Sequence, residues 1–120
     1  MTKEQAGRYL DLRIYLCELE RLNINLTILA EFRINDFANS YKDINQLSIA
    51  SREIRDFLIK SNAKSISDVI RQAEKKFKKS YNEFQAECPE IIKEFRSHLT
   101  SLQEWEAVHH GAIFDSRTSS

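Results

Sequence analysis

The sequence predicts an all-α protein, a small bundle of four to five helices, and two observations support that prediction. The chain has 120 residues but only 2 Gly and 1 Pro, where average usage would give about fourteen such residues. Tight turns are therefore few, and the regular elements have to be long. Apolar residues also recur at helical spacing through most of the chain. We expect one domain over residues 1–111 and a C-terminal tail over residues 112–120.

The first helix is predicted to begin at Thr2, because Thr2 and Gln5 form a capping-box pair. Two apolar stripes follow along it. The first keeps a heptad spacing and consists of Tyr9, Leu12, Leu16, Leu19, Asn23, Leu26, Ala30, Arg33 and Phe37. The second lies on another side and consists of Ala6, Leu10, Ile14, Cys17, Ile24, Ile28 and Phe32. A helix with two apolar faces has to bury both, either as the central helix of the domain or against a second protomer.

The heptad stripe predicts a homodimer. It is long, and it carries an Asn at one a-type position, as coiled coils with a fixed register do. The predicted dimer interface consists of Tyr9, Leu12, Leu16, Leu19, Asn23 and Leu26.

The continuity of this long helix is open between Leu22 and Ile28, where apolar and polar residues alternate as in a strand. No second alternating run exists to pair with such a strand. A helix broken near Asn23 and Asn25 is therefore favoured over a strand.

The second helix is predicted from Asp43, which Gln46 follows three residues later, and it should stop near Ser61 and Asn62. Its apolar side carries Ile44, Leu47, Ala50, Ile54, Phe57 and Leu58.

The third helix follows the cap pair of Ser65 and Asp68. Its apolar stripe consists of Ile66, Val69, Ile70, Ala73, Phe77, Tyr81 and Phe84. Pro89 suits the first position of a fourth helix that runs towards His109, with Gly111 as a natural residue beyond its end.

Composition excludes several classes of protein. No apolar stretch approaches the ~18 residues of a membrane span, and the N-terminus lacks an apolar signal core, so we expect a cytoplasmic protein without membrane contact. Cys17 and Cys88 lack the CxxC spacing of metal and redox sites, and we expect two ordinary buried thiols.

Catalytic and metal motifs are missing from the sequence. It contains no GxSxG, no glycine-rich phosphate loop and no HExxH. Glu106 and His109 form one ExxH, whereas a di-metal bundle needs two copies and two further Glu residues. We therefore expect no enzyme activity, no metal and no cofactor.

Charge is balanced over the whole chain, with 18 Lys+Arg and 18 Asp+Glu, but it is not evenly spread. Arg71, Lys75 and Lys78 should face outward together on the third helix, as a basic ridge able to follow a phosphate backbone. The alternative is that this ridge pairs with the acidic fourth helix, which the zero net charge favours.

The C-terminal end carries the remaining candidate site. Trp105 and Val108 lie off the main stripe of the fourth helix, and Ile113 and Phe114 stand in an otherwise polar tail. Clustered exposed aromatics commonly mark partner sites, although the tail could instead fold back over the bundle. The sequence thus predicts a non-enzymatic adaptor that binds proteins as a homodimer, with a nucleic-acid-associated subunit using the basic ridge as the alternative.

Overall fold

The computed structural model describes residues 2–35 and 41–109, and the side chains of residues 2–31 and 45–109. Within those residues the chain forms helices and no strands, which confirms the all-α prediction. The helices are α1 (Lys3–Asn35), α2 (Tyr41–Lys60), α3 (Ile66–Lys76), α4 (Lys78–Glu87) and α5 (Pro89–His109).

Helix α1 is continuous through its two asparagines, which answers the question that the sequence left open. The backbone N–H of Gln5 donates to the Thr2 hydroxyl at 3.1 Å and that of Thr2 donates to Gln5 Oε1 at 2.8 Å, so the capping box is confirmed. Asn25 donates its amide to Glu53 at 2.8 Å, and Asn23 donates to the carbonyl of His98 at 3.4 Å. Because both side chains are engaged by other helices, neither competes for the backbone of α1.

Helix α2 begins at Tyr41, two residues before the predicted start at Asp43. The helix ends at Lys60, next to the stop predicted near Ser61 and Asn62. Asn62 adopts a positive φ of 55°, and the N–H of Ala63 donates to the carbonyl of Leu58 at 2.9 Å. That bond and the left-handed Asn62 form a Schellman-type helix end, which turns the chain towards α3.

The predicted third helix is two helices that meet at Phe77, whose φ of −106° and ψ of 16° depart from helical values. No Gly or Pro marks this position. The Phe77 ring is buried, 4.7 Å from the ring centroid of Tyr15 in α1 and 6.1 Å from that of Phe95 in α5. The Phe77 ring thus packs against both α1 and α5 at the point where α3 ends and α4 begins.

The caps of α3 and α5 agree with the sequence. Ser65 accepts from the backbone N–H of Asp68 at 3.2 Å, and the N–H of Lys64 donates to the Asp68 carboxylate at 2.9 Å, which lowers the pKa of Asp68. Pro89 is the first residue of α5, as predicted. Gly111 and the tail lie outside the described residues.

The core is one apolar cluster built around α1. Helix α1 packs against α2 on one flank and α5 on the other, while α3 and α4 close against α5. Leucines at helical spacing supply the α1 side of this core, namely Leu12, Leu16, Leu19, Leu22, Leu26 and Leu29. In the described part of the chain, no helix combines the length and apolar character needed to cross a membrane.

Candidate functional site

The stripe assigned to a dimer interface forms the core of a single chain instead. Leu12, Leu16, Leu19 and Leu26 are between 0 and 3% exposed, and Tyr9 and Asn23 are half-buried. The apolar faces of the other helices already cover these residues, so no second protomer can contact the four leucines without unfolding the bundle. The assignment of these residues to a dimer surface is therefore corrected.

The second apolar stripe of α1 faces outward. Leu10 is 59% exposed, Ile14 51% and Ile24 54%. Cys17 is also exposed, which corrects the expectation of two buried thiols, and Ile28 is half-buried. At ~100° per residue these positions lie within about 40° of one line, roughly opposite the buried leucines. We call this surface the outer stripe and define it as Leu10, Ile14, Cys17, Arg21, Ile24 and Ile28.

Arg21 is the one charged residue in the outer stripe, and an acidic partner on α2 holds its head group. Its guanidinium forms two hydrogen bonds to Glu53, at 3.0 and 3.3 Å, and Glu53 also accepts from Asn25. The bonds from Arg21 and then Asn25 lower the pKa of Glu53. Because the charge of Arg21 is balanced within the chain, the stripe remains electrically neutral across its centre.

The structure does not bring together the three residues of the predicted basic ridge. Arg71 forms an ion pair with Asp68, Lys75 lines a groove against α1, and Lys78 belongs to α4 and lines a different depression, against α5. The break at Phe77 separates them, because Arg71 and Lys75 belong to α3 whereas Lys78 begins α4.

A different set of lysines converges on the groove between α1 and the α3–α4 junction, which has a volume of about 1060 Å³. Lys75, Lys76 and Lys79 line it, and the ammonium of Lys76 lies 5.7 Å from the centroid of the Tyr15 ring. Burial, and secondarily Glu18, raises the pKa of Tyr15 to about 12. We call this surface the lysine groove.

Two further cations at the lysine groove are neutralised within the chain. Arg8 pairs with Glu83 at 2.6 Å, and Lys60 pairs with Glu18 at 3.6 Å. Lys75 and Lys79 have no acidic partner among the described residues.

The C-terminal candidates divide between interior and surface. Trp105 is only 9% exposed, donates a hydrogen bond to the carbonyl of Leu26 and stacks on His109 at 4.7 Å between centroids. Its assignment as a partner anchor is therefore corrected. Val108 is 76% exposed. Ile113 and Phe114 lie outside the described residues.

A shallower groove of about 760 Å³ runs between α1 and α5 and is lined by His98, His109 and Glu104. Among the described residues no cluster of three or more His, Cys, Asp or Glu side chains is arranged to hold a metal ion.

Sequence reasoning overlooked two parts of these surfaces. Arg21 fills the gap in the outer stripe between Cys17 and Ile24, and the 3–4 spacing could have revealed it. The sequence contained the lysines of the lysine groove but did not reveal their arrangement, because that depends on the break at Phe77 and on the position of Tyr15 across from it.

The fold and these surfaces define a helical bundle with an outward apolar stripe and a lysine-lined groove. Comparisons with protein-family models, with curated proteins and with solved structures found no match to this chain.

Proposed function

We propose that the protein is a non-enzymatic interaction module and that the outer stripe of α1 is its binding surface. The observation that supports this is the exposure of Leu10, Ile14 and Ile24 along one line of a helix whose opposite face is already fully buried. Each exposed aliphatic side chain gains about 1 kcal/mol or more when a partner covers it.

The arrangement of the stripe distinguishes it from scattered surface hydrophobics, which need no explanation. Its residues repeat at intervals of 3 and 4, and from Leu10 to Ile28 they extend over about 27 Å of helix. Repetition of that kind matches a second helix lying alongside α1. The core does not need these residues, so stability of the bundle does not account for them.

A photo-crosslinking residue at Ile14 or Ile24, introduced in the cells that naturally produce the protein, tests this function. We expect adducts with protein from both positions. The matched control is the same residue at Arg55, which is exposed on α2 away from the stripe. If positions 14 and 24 give no more adducts than position 55, the outer stripe is not a binding surface.

A second candidate function is the binding of nucleic acid, and the lysine groove is the observation that favours it. Lys75 and Lys79 carry charge without acidic partners, beside the stacked rings of Tyr15 and Phe77. Phosphates and bases are bound by such combinations of cations and aromatic faces. The zero net charge of the chain ranks this function second.

The measurement for this candidate is binding of single-stranded nucleic acid as a function of salt. A dissociation constant below ~1 μM near physiological salt, with a steep loss as salt rises, would promote it above the first function. The Lys75→Glu, Lys79→Glu double variant should then lose binding, while Lys78→Glu, outside the groove, should retain most of it. We expect little binding by the natural protein.

A further inference from the structure

We propose that the partner of the outer stripe is a second copy of this chain, and that the two α1 helices lie antiparallel with the two-fold axis at residue 19. In this arrangement Ile14 of one copy faces Ile24 of the other. This inference rests on the proposed function, since it names the occupant of the same surface.

The spacing of the outer stripe is the first argument. Its positions are 10, 14, 17, 21, 24 and 28, so the intervals are 4, 3, 4, 3 and 4 residues in either direction. Reversal about residue 19 places Leu10 opposite Ile28, Ile14 opposite Ile24 and Cys17 opposite Arg21. The isologous contact of a two-fold dimer requires this kind of self-complementarity.

The chemistry of the facing pairs is the second argument. Both outer pairs are aliphatic on each side. At the centre, the small Cys17 leaves room for the stem of Arg21, whose guanidinium is directed to Glu53 of its own α2. A long cationic side chain covers apolar surface with its stem while the charge stays paired.

Charge favours the antiparallel orientation over the parallel one. A parallel pair would set Arg21 against Arg21 in the seam, whereas the antiparallel pair separates them. Lys3 at one end of the stripe and Glu31 at the other are both exposed. Antiparallel helices bring Lys3 of one copy towards Glu31 of the other, whereas parallel helices would bring like charges together.

Two acidic residues flank the axis, and they limit the strength of the dimer. Glu18 is neutralised by Lys60 at 3.6 Å, but Glu20 is exposed and lies near Glu20 of the second copy. Disulfide trapping captures weakly associated pairs and is therefore the appropriate test.

The experiment uses the full chain with both natural thiols removed by Cys17→Ser and Cys88→Ala. One variant then carries Ile14→Cys and another carries Ile24→Cys. Antiparallel packing places residue 14 of one copy in contact with residue 24 of the other. Residue 14 of one copy and residue 14 of the other are instead about 15 Å apart along the helix axis, and the same holds for residue 24. Because a disulfide needs Cα atoms within about 7 Å, only the mixture should cross-link.

We expect the mixture of the two variants to form at least ten-fold more covalent dimer than either variant alone under mild oxidation. A third variant, Ile59→Cys on α2, is the control for random collision, since that side chain is 77% exposed away from the stripe. Circular dichroism of each variant establishes that it is folded.

The other outcomes overturn the proposal in distinguishable ways. Cross-linking within each single variant would show a parallel dimer. Equal cross-linking of Ile14→Cys with Ile59→Cys would show collision only. If no variant cross-links while the photo-crosslinks at positions 14 and 24 persist in cells, the stripe binds a different protein. The proposed function would then stand and the second copy would be excluded.

Discussion

The indole Nε1 of Trp105 donates a hydrogen bond to the carbonyl oxygen of Leu26 at 3.2 Å, between residues 79 positions apart in the chain. This bond joins the last turns of α5 to the second half of α1. Trp105, which the sequence suggested as an anchor for a partner, thus stabilises the bundle from within. The stability of the protein should depend on it accordingly.

Trp105→Phe should lower the free energy of unfolding by about 1 kcal/mol, because most of the apolar contact remains and one hydrogen bond is lost. Trp105→Ala should cost about 3–5 kcal/mol, since it leaves a cavity. Denaturant unfolding followed by circular dichroism measures both. Val108→Ala is the control, because Val108 is exposed, and it should change stability by less than about 0.5 kcal/mol. Similar losses for Trp105→Ala and Val108→Ala would contradict the buried position of Trp105.

Asn25→Asp should destabilise the protein at neutral pH by about 1–3 kcal/mol. It replaces a donor that lies 2.8 Å from a Glu53 oxygen with a second carboxylate, and two carboxylates at that distance repel one another. Thermal unfolding at pH 7 measures the loss, and Asn82→Asp, an exposed change on α4, should have little effect. An Asn25→Asp variant as stable as the Asn82→Asp variant would show that the bond to Glu53 is unimportant.

The stability contributed by Glu53 should disappear in acid. Hydrogen bonds from Arg21 and Asn25 lower its pKa in the folded state below the ordinary value of 4.5. The contribution is therefore present above pH 4.5 and is lost as the pH falls through the folded pKa. The melting temperatures of the natural protein and Glu53→Gln should differ most near neutral pH and converge as the pH falls from 4.5 through the folded pKa. A difference that does not change with pH would refute this origin.

Tyr15 should ionise later than a free tyrosine. Its pKa is raised from 10.0 to about 12, mainly by burial, so an alkaline titration of tyrosinate absorbance should show a phase near pH 12. Tyr15→Phe should lack that phase. Because the folded pKa is raised, the stabilising effect is present below pH 10 and is lost as the pH rises towards 12. If Tyr15→Phe retains the late phase, a different tyrosine causes it.

Gly7→Ala should stabilise the protein by about 0.5–1 kcal/mol. Gly7 lies inside α1, and a Cβ built there has no atom within 4 Å, so alanine improves helix propensity without a clash. Thermal unfolding measures the gain. A loss of stability would contradict the open space around Gly7, because it would mean that the added methyl group meets other atoms.

The sequence by itself determined the features that depend on neighbouring residues. The caps of α1 at Thr2 and of α3 at Ser65, and the first position of α5 at Pro89, follow from hydrogen bonds or a missing donor within one turn. The end of α2 just before Asn62 follows from the tolerance of asparagine for a positive φ. Periodicity alone likewise showed that α1 carries two apolar faces, because side-chain direction on a helix is set by spacing.

Only the tertiary structure decided which of those two faces is buried, because both faces satisfied the same local pattern. The outcome depends on which face packs against the apolar residues of α2 and α5. The break at Phe77 and the burial of Trp105 have the same origin, because each ring is held by residues far away in the chain. The pairing of Arg21 with Glu53 also joins separate helices. Long-range packing selects among locally equivalent arrangements, and in this protein it placed the heptad leucines inside and left the outer stripe exposed.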